Sequence, residues 1–550
     1  MANEFLKDDQ ELKLNKQKAN SLSSFVTLKE KLYAIIPFGW GALTLFLAGG
    51  NQRSFFTFYR FLSFGLGSAG LSILTLVNSS LGQIFANILL IIGINLFVLS
   101  NDISKERVDK NLTIHFLNAG YLGLALYLYV MTLYPTWFPG ANSLWQVIVV
   151  SAPQSALMLT LCLFCQNIGY FIFGKLVFGT SSVAKWFKSS KNVLNLEFIK
   201  PNQISKVNLL FFTLLIVGSV SRLIEIFLGG SILYGAINVI PTSISSFLAQ
   251  FSVLYPIGWL YGTATIISPQ EKTNKLIKSI TFVLISFELV FQFFSGSKGR
   301  FFTQIIIPLS AVYLLVKKKV SVQLVIIGFG LAFTSWLVLY PVLVVYRSAL
   351  FESYQLSDSS FSLIGGMNLA FQTLLDFSWD DYLKVVMHPL NQSRLAEQNL
   401  ALTSIIHNDL TLQGAEDNLW ERLLFFWLPR AFWPAKPTNL NVNLIGRLTG
   451  RLNPEDYTTS VLSTGPGEVF IYYGFAGSLL MIIAGLVFRG TNDLISPFQQ
   501  FSHFKIAVFI VFLGSMKGVI SGGFEEIITG IFLQLGVLYF IVWLFKKITT

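Results

Sequence analysis

The residues best suited to chemistry in this chain are a few cations and carboxylates set among prolines, glycines and aromatics. The densest group is Leu428-Pro429-Arg430-Ala431-Phe432-Trp433-Pro434-Ala435-Lys436-Pro437. Its prolines fix φ and deny helix continuation, so Arg430 and Lys436 are held at set positions beside Phe432 and Trp433. A planar guanidinium makes paired hydrogen bonds to phosphate, and a ring face can stack on a sugar or a lipid. An interfacial aromatic belt would use the same residues. The turn Ser295-Gly296-Ser297-Lys298-Gly299-Arg300 is a second candidate. Small residues let a backbone approach a ligand closely, and two cations with exposed N–H groups suit an anion; a tight turn meeting lipid headgroups is the plainer alternative. Arg347 ends an apolar block and could bind a phosphate or simply snorkel to the interface.

Proton transfer would fall to other residues. Thr464-Gly465-Pro466-Gly467-Glu468-Val469-Phe470 opens an apolar block, and Glu468 there could serve as a base or as a helix cap favoured by the dipole. His407-Asn408-Asp409 offers an imidazole, the side chain whose ordinary pKa lies nearest neutrality. Asp376, Asp380, Asp381, His388, Asp417 and Glu421 read as a solvated face. No HExxH or comparable metal spacing occurs. Cys162 and Cys165 form a CxxC inside an apolar run, which reads as buried helical thiols and not as a redox or zinc motif. Asn391-Gln392-Ser393 matches a glycosylation sequon, a match frequent by chance.

The elements that must position these groups are set by hydropathy. The chain of 550 residues is 53% hydrophobic and only 12% charged, where a soluble protein carries about a quarter charged residues. Apolar blocks long enough for a hydrocarbon core of about 30 Å recur at 32–49, 62–77, 83–99, 114–134, 145–172, 207–228, 243–267, 279–295, 301–316, 321–346, 467–487, 504–520 and 527–545. The expected fold is therefore all-α and polytopic, with about twelve or thirteen spans and one large extracytoplasmic loop bearing short helices. Its parts are a cytoplasmic tail at 1–31, a transmembrane bundle at 32–346, the loop at 347–466 and C-terminal spans at 467–550. The tail is polar and of mixed charge, unlike a cleavable signal peptide.

Sidedness follows from lysine and arginine. The 179–206 loop, Lys272/Lys275/Lys278, Lys317-Lys318-Lys319 and Lys546-Lys547 belong in the cytoplasm, which puts 135–144, 229–242, Gly296 to Arg300 and 347–466 outside and the C-terminus inside. Thirteen full spans would put the lysine-bearing N-terminus outside, so the 32–49 block, with Pro37 and Gly49-Gly50, reads as re-entrant or interfacial. The net charge of +11 belongs to these loops, which argues against nucleic acid as a partner. No GxxxxGK[ST] occurs and no cytoplasmic loop is long enough for a nucleotide-binding domain.

Taken together, Gly296-Ser297-Lys298-Gly299, the Pro429-Arg430-x-x-Trp433-Pro434-x-Lys436-Pro437 run, and Gly467-Glu468-Val469-Phe470 with Gly474 and Gly477 carry a resemblance. The chain resembles the O-antigen polymerase (Wzy-type), or oligosaccharide repeat-unit polymerase, family of bacterial inner-membrane proteins. The motifs span about 290 to 480. Lys298 stands where that family usually has arginine, so either Lys298 or Arg300 could contact phosphate. The resemblance implies a metal-independent, cofactor-free glycosyltransferase that polymerises polyprenyl-diphosphate-linked oligosaccharides into O-antigen or exopolysaccharide chains. The work would be done outside the bacterial inner membrane, with a chain-length regulator and a flippase as partners. Arg430, Lys298 and Arg300 would then stabilise the leaving diphosphate, with Arg347 and Lys436 binding it. Glu468, His407 or Asp409 would be the base, and Trp433 and Phe432 would stack on substrate. Two alternatives stay open: a glycan ligase of related chemistry, and a lipid-linked oligosaccharide flippase or other transporter. Broken helices and charges at the bilayer midplane would favour the last; Arg222 and Glu225, one turn apart in 207–228, are the main intramembrane charges expected.

Overall fold

A computed structural model describes residues 55–104, 109–133, 142–180, 204–227, 251–268, 275–294, 305, 307–317, several positions between 368 and 380, 394–411, 415–425, 447, 464–497, 502–521 and 523–549. The apolar blocks at 32–49 and 321–346 lie outside the described residues. Among the described residues every regular element is helical, as a backbone in lipid requires. Ser80–Asp102, Leu112–Leu133, Val147–Phe178, Gly465–Ile495 and Ile528–Ile548 are long and apolar enough to cross a membrane, while Asn208–Ile224 and Phe251–Ile267 are shorter apolar helices. The chain is an all-α, polytopic membrane protein. Its phenylalanines partly face outward: Phe282 and Phe287 are exposed on one helix, where a lipid surface accounts for them.

The contacts divide the chain into two units. The described part of the first contains α1 (Phe55–Leu76), α2 (Ser80–Ser104), α3 (Leu112–Leu133) and residues 152–164 of α4 (Asn142–Ile168). Lipid gives helices no hydrophobic reason to associate, so close backbone approach and hydrogen bonds must do it. Gly70 accordingly lies against Ala86 and Leu90, Gly93 against Ser63 and Gly67, and the Ser63 hydroxyl donates to the Gly93 carbonyl at 2.6 Å. Thr160 donates to Asn87 Oδ1 at 2.9 Å, deep between α4 and α2. The α2–α3 connection is tied by Asp102, which accepts from Asn111 Nδ2 at 2.8 Å and lies 3.0 Å from His115 Nε2.

The second unit takes in residues 134–151 and everything after Phe164. Here α4 continues through a π turn, Gly169–Phe173, into α5 (Gly174–Thr180). The turn lets α13 (Met481–Ile495) pack closely, with Gly169 against Ile482 and Gly485 against the Gln166 carbonyl. The Arg489 guanidinium lies 5.3 Å from the Tyr170 ring and donates to Asp493 at 2.8 Å. Cys162 and Cys165 are buried thiols outside any disulfide, as an apolar helix implies. Nearby in sequence order come α6 (Ile204–Phe227), α7 (Leu254–Ile267), α8 (Lys275–Phe294) and α9 (Ile307–Lys317). Gly218 of α6 touches the backbone of Leu254 and Tyr255.

One intramembrane charge has a partner on another helix. Arg222 donates from both terminal nitrogens to Glu288 of α8, at 2.9 and 3.0 Å, and lies 4.9 Å from the Tyr255 ring of α7. The neighbour that spacing suggested, Glu225, has a side chain outside the described residues. Sequence offers only same-helix spacings, whereas a planar guanidinium reaches a buried carboxylate on another helix with two parallel bonds.

Four helices close the chain: α12 (Gly465–Tyr473), α13, α14 (His503–Ser521) and α15 (Phe524–Thr549). The expected single span at 467–487 is broken. Gly474 takes φ 59° and ψ −140°, a conformation open to glycine and strained for other residues. A 3-10 segment, Gly474–Leu480, then folds back so that Gly477 lies against the Val469 carbonyl. In a continuous helix those residues would be about 12 Å apart along the axis. The absence of a Cβ at Gly477 is what allows the contact.

Candidate functional site

The segment expected to be an extracytoplasmic loop bearing short helices contributes one that is enclosed. In α10 (Arg394–His407) every residue from Gln398 to Ile406 is buried, polar and apolar alike. Two polar side chains at its C-terminal end turn to their own backbone: Thr403 donates to the Asn399 carbonyl at 2.8 Å, and Asn408 to the Ser404 carbonyl at 2.8 Å. Bonds of this kind let a moderately polar helix leave water at little cost. The helix packs on the first turn of α12, where Ile405 and Leu402 lie over Gly467.

His407 emerges from this enclosed helix with its ring exposed. Its Nδ1 lies 3.0 Å from the Oγ of Ser151, a buried residue of α4. Asp409 explains the end of the helix. Its φ of 46° is left-handed, its N–H reaches the Ile406 carbonyl, and the Leu410 N–H reaches the Ile405 carbonyl, each at 3.1 Å. This is a Schellman-type end, with an aspartate where glycine is usual. Asp409 is exposed and its backbone shapes the turn.

Glu468 is buried at 5% exposure in the first turn of α12. Thr464 caps that helix, its Oγ1 accepting from the Gly467 N–H at 3.1 Å, with a strained φ of 61°. The Glu468 carboxylate accepts from Tyr472 Oη at 3.3 Å and, at 2.6 Å, from the backbone N–H of Phe524, the first residue of α15. It therefore caps a second helix as well as sitting at the start of its own. Both helix N-termini favour the anion. The Glu468 carboxylate is thus engaged by two helices in the interior, whereas His407 is exposed.

Lys298, Arg300, Arg347, Arg430, Phe432, Trp433 and Lys436 lie outside the described residues. What the structure brings together is the end of α10 and the start of α12, with His407, Asp409 and Glu468 on adjoining elements. Two participants escaped sequence reasoning. Ser151 carries no signal in an apolar block, and Phe524 acts only through its backbone. A third feature is aromatic: Trp420 of α11 (Ala415–Leu424) donates from Nε1 to Tyr473 Oη at 3.2 Å, both side chains remaining exposed. The alternation of Leu419, Trp420 and Leu424 in α11 was a faint amphipathic signal. No protein-family model, curated protein or solved structure matches the chain.

Proposed function

We propose that the protein is a membrane glycosyltransferase that polymerises polyprenyl-diphosphate-linked oligosaccharide repeat units into O-antigen or exopolysaccharide chains on the outer face of a bacterial inner membrane. The growing glycan leaves its lipid diphosphate and joins a hydroxyl of a new lipid-linked unit. Arg430, Lys298 and Arg300 offset charge on the departing diphosphate, helped by Arg347 and Lys436, and Phe432 and Trp433 stack on substrate. No metal is needed where cations converge. His407 takes the acceptor proton. A chain-length regulator and a flippase are the expected protein partners.

The observation that carries this reading is the docking of α10 onto α12. α10, which precedes the Pro429–Pro437 run in sequence, is thereby anchored at Gly467, and the imidazole of His407 is left exposed at its end. The test supplies purified protein in detergent with lipid-linked repeat units. Longer lipid-linked products in wild type, and their loss in Arg430→Ala at equal protein abundance, are the predicted results. Unchanged substrate would sink the transferase reading. A transporter of lipid-linked oligosaccharide is the second reading, favoured by the broken helix at Gly474 and the Arg222–Glu288 pair inside the bundle. It predicts no lengthening in the same assay.

A further inference from the structure

We infer that Ser151 is a positioning residue that holds His407 in the tautomer a general base requires, an inference that rests on the transferase reading above. Ser151 and His407 are 256 residues apart in sequence, and Oγ meets Nδ1 at 3.0 Å. The two ends of the contact differ in environment. Ser151 is buried in α4 at 1% exposure, whereas the His407 ring is exposed at the end of an enclosed helix. The hydroxyl therefore grips the inner nitrogen, and the outer one, Nε2, is turned toward whatever occupies the exposed side.

Which partner donates decides the chemistry. A hydroxyl inside a helix commonly gives its hydrogen to the carbonyl one turn back. Thr132, Thr263, Thr403 and Ser72 do so here. A Ser151 hydroxyl engaged in that way offers only lone pairs, so the ring proton sits on Nδ1 and is donated to Ser151 Oγ. Nε2 then keeps its lone pair. In the transfer step the acceptor hydroxyl gives its proton to Nε2 while its oxygen bonds to the anomeric carbon. The bond from that carbon to the diphosphate oxygen breaks, and the electron pair leaves on the lipid diphosphate. The resulting imidazolium retains its Nδ1–H bond to Ser151. The enclosure of α10 and the turn at Asp409 fix the backbone of His407, and Ser151 fixes its ring.

The experiment is nitrogen NMR of the full-length protein, labelled with 15N-histidine, in detergent micelles. The chain has four histidines, and His407→Gln identifies the signal of interest. Wild type should show His407 mainly as the Nδ1–H tautomer. Ser151→Thr should keep that state and Ser151→Ala should lose it. In the lipid-linked repeat-unit assay, Ser151→Ala should lower kcat about ten- to a hundredfold with KM nearly unchanged, and Ser151→Thr should restore it. An Nε2–H tautomer in wild type, or full kcat in Ser151→Ala, overturns the inference. The wild-type tautomer needs no variant, so poor folding of Ser151→Ala does not remove the test. If wild type transfers no glycan at all, the transferase reading falls, whatever tautomer is found.

Discussion

Glu468 shows how a residue chosen for one role can be read by its partners in another. Sequence placed it at a helix start and left capping and catalysis open. The structure adds the Phe524 N–H at 2.6 Å, a bond to a different helix. Because accepting that bond does not require a charge, Glu468→Gln should keep most of the glycan transfer and lower thermal stability only slightly. Glu468→Ala should cost about 1–3 kcal/mol, since it orphans a buried donor; unfolding in detergent measures both. Abolished transfer in a stable Glu468→Gln protein would make Glu468 the base instead of His407. Asp409 is the converse case. Its side chain is exposed while its backbone adopts a left-handed turn that disfavours residues with a Cβ. Relief of a left-handed cost of about 1–2 kcal/mol, less the roughly 0.5–1 kcal/mol of extra chain entropy that glycine loses, should make Asp409→Gly modestly stabilising with transfer intact, and a lowered melting temperature would contradict the turn assignment.

At the scale of elements, the Arg222–Glu288 pair joins α6 to α8 beneath the Tyr255 ring of α7. Removing either partner alone leaves an uncompensated charge in an apolar bundle, at a cost of about 3–5 kcal/mol. The double change Arg222→Met with Glu288→Leu should recover folded yield and retain transfer, as measured by detergent-stable protein and by chain extension. Recovery of fold without transfer would instead mark the pair as part of the working machinery. Much of the helical plan was legible beforehand: blocks expected at 83–99, 114–134 and 207–228 are observed as Ser80–Ser104, Leu112–Leu133 and Ile204–Phe227. Hydropathy reads them well because apolar length is the property lipid selects. The break at Gly474 was not legible, because a window of apolar residues has the same average whether the chain runs on or folds back. Nor was the enclosure of α10. Gln398, Asn399, Thr403 and Ser404 suggest a wet helix, and the bond of Thr403 to its own backbone is one local means by which such a residue is buried. Of the candidate site, residue types were legible and partners were not. Ser151 is one serine among many until a fold sets it against His407.

For the whole molecule, the account depends on sidedness. The positive-inside bias predicts lysine-rich loops in the cytoplasm, and the proposed function needs the cations of 295–300 and 428–437 on the opposite side together with the 394–411 segment. The native cysteines, Cys162 and Cys165, are both buried, so a labelling experiment starts from a quiet background. Single cysteines placed at Lys298, Arg300, Arg430 and Lys547 in intact cells, probed with a membrane-impermeant thiol reagent, give the most direct measurement. The account predicts labelling at Lys298, Arg300 and Arg430 from outside, and labelling at Lys547 only after the membrane is opened. Reaction of Lys298 or Arg300 on one side of the bilayer and Arg430 on the other would contradict it, since no single diphosphate could then meet all three.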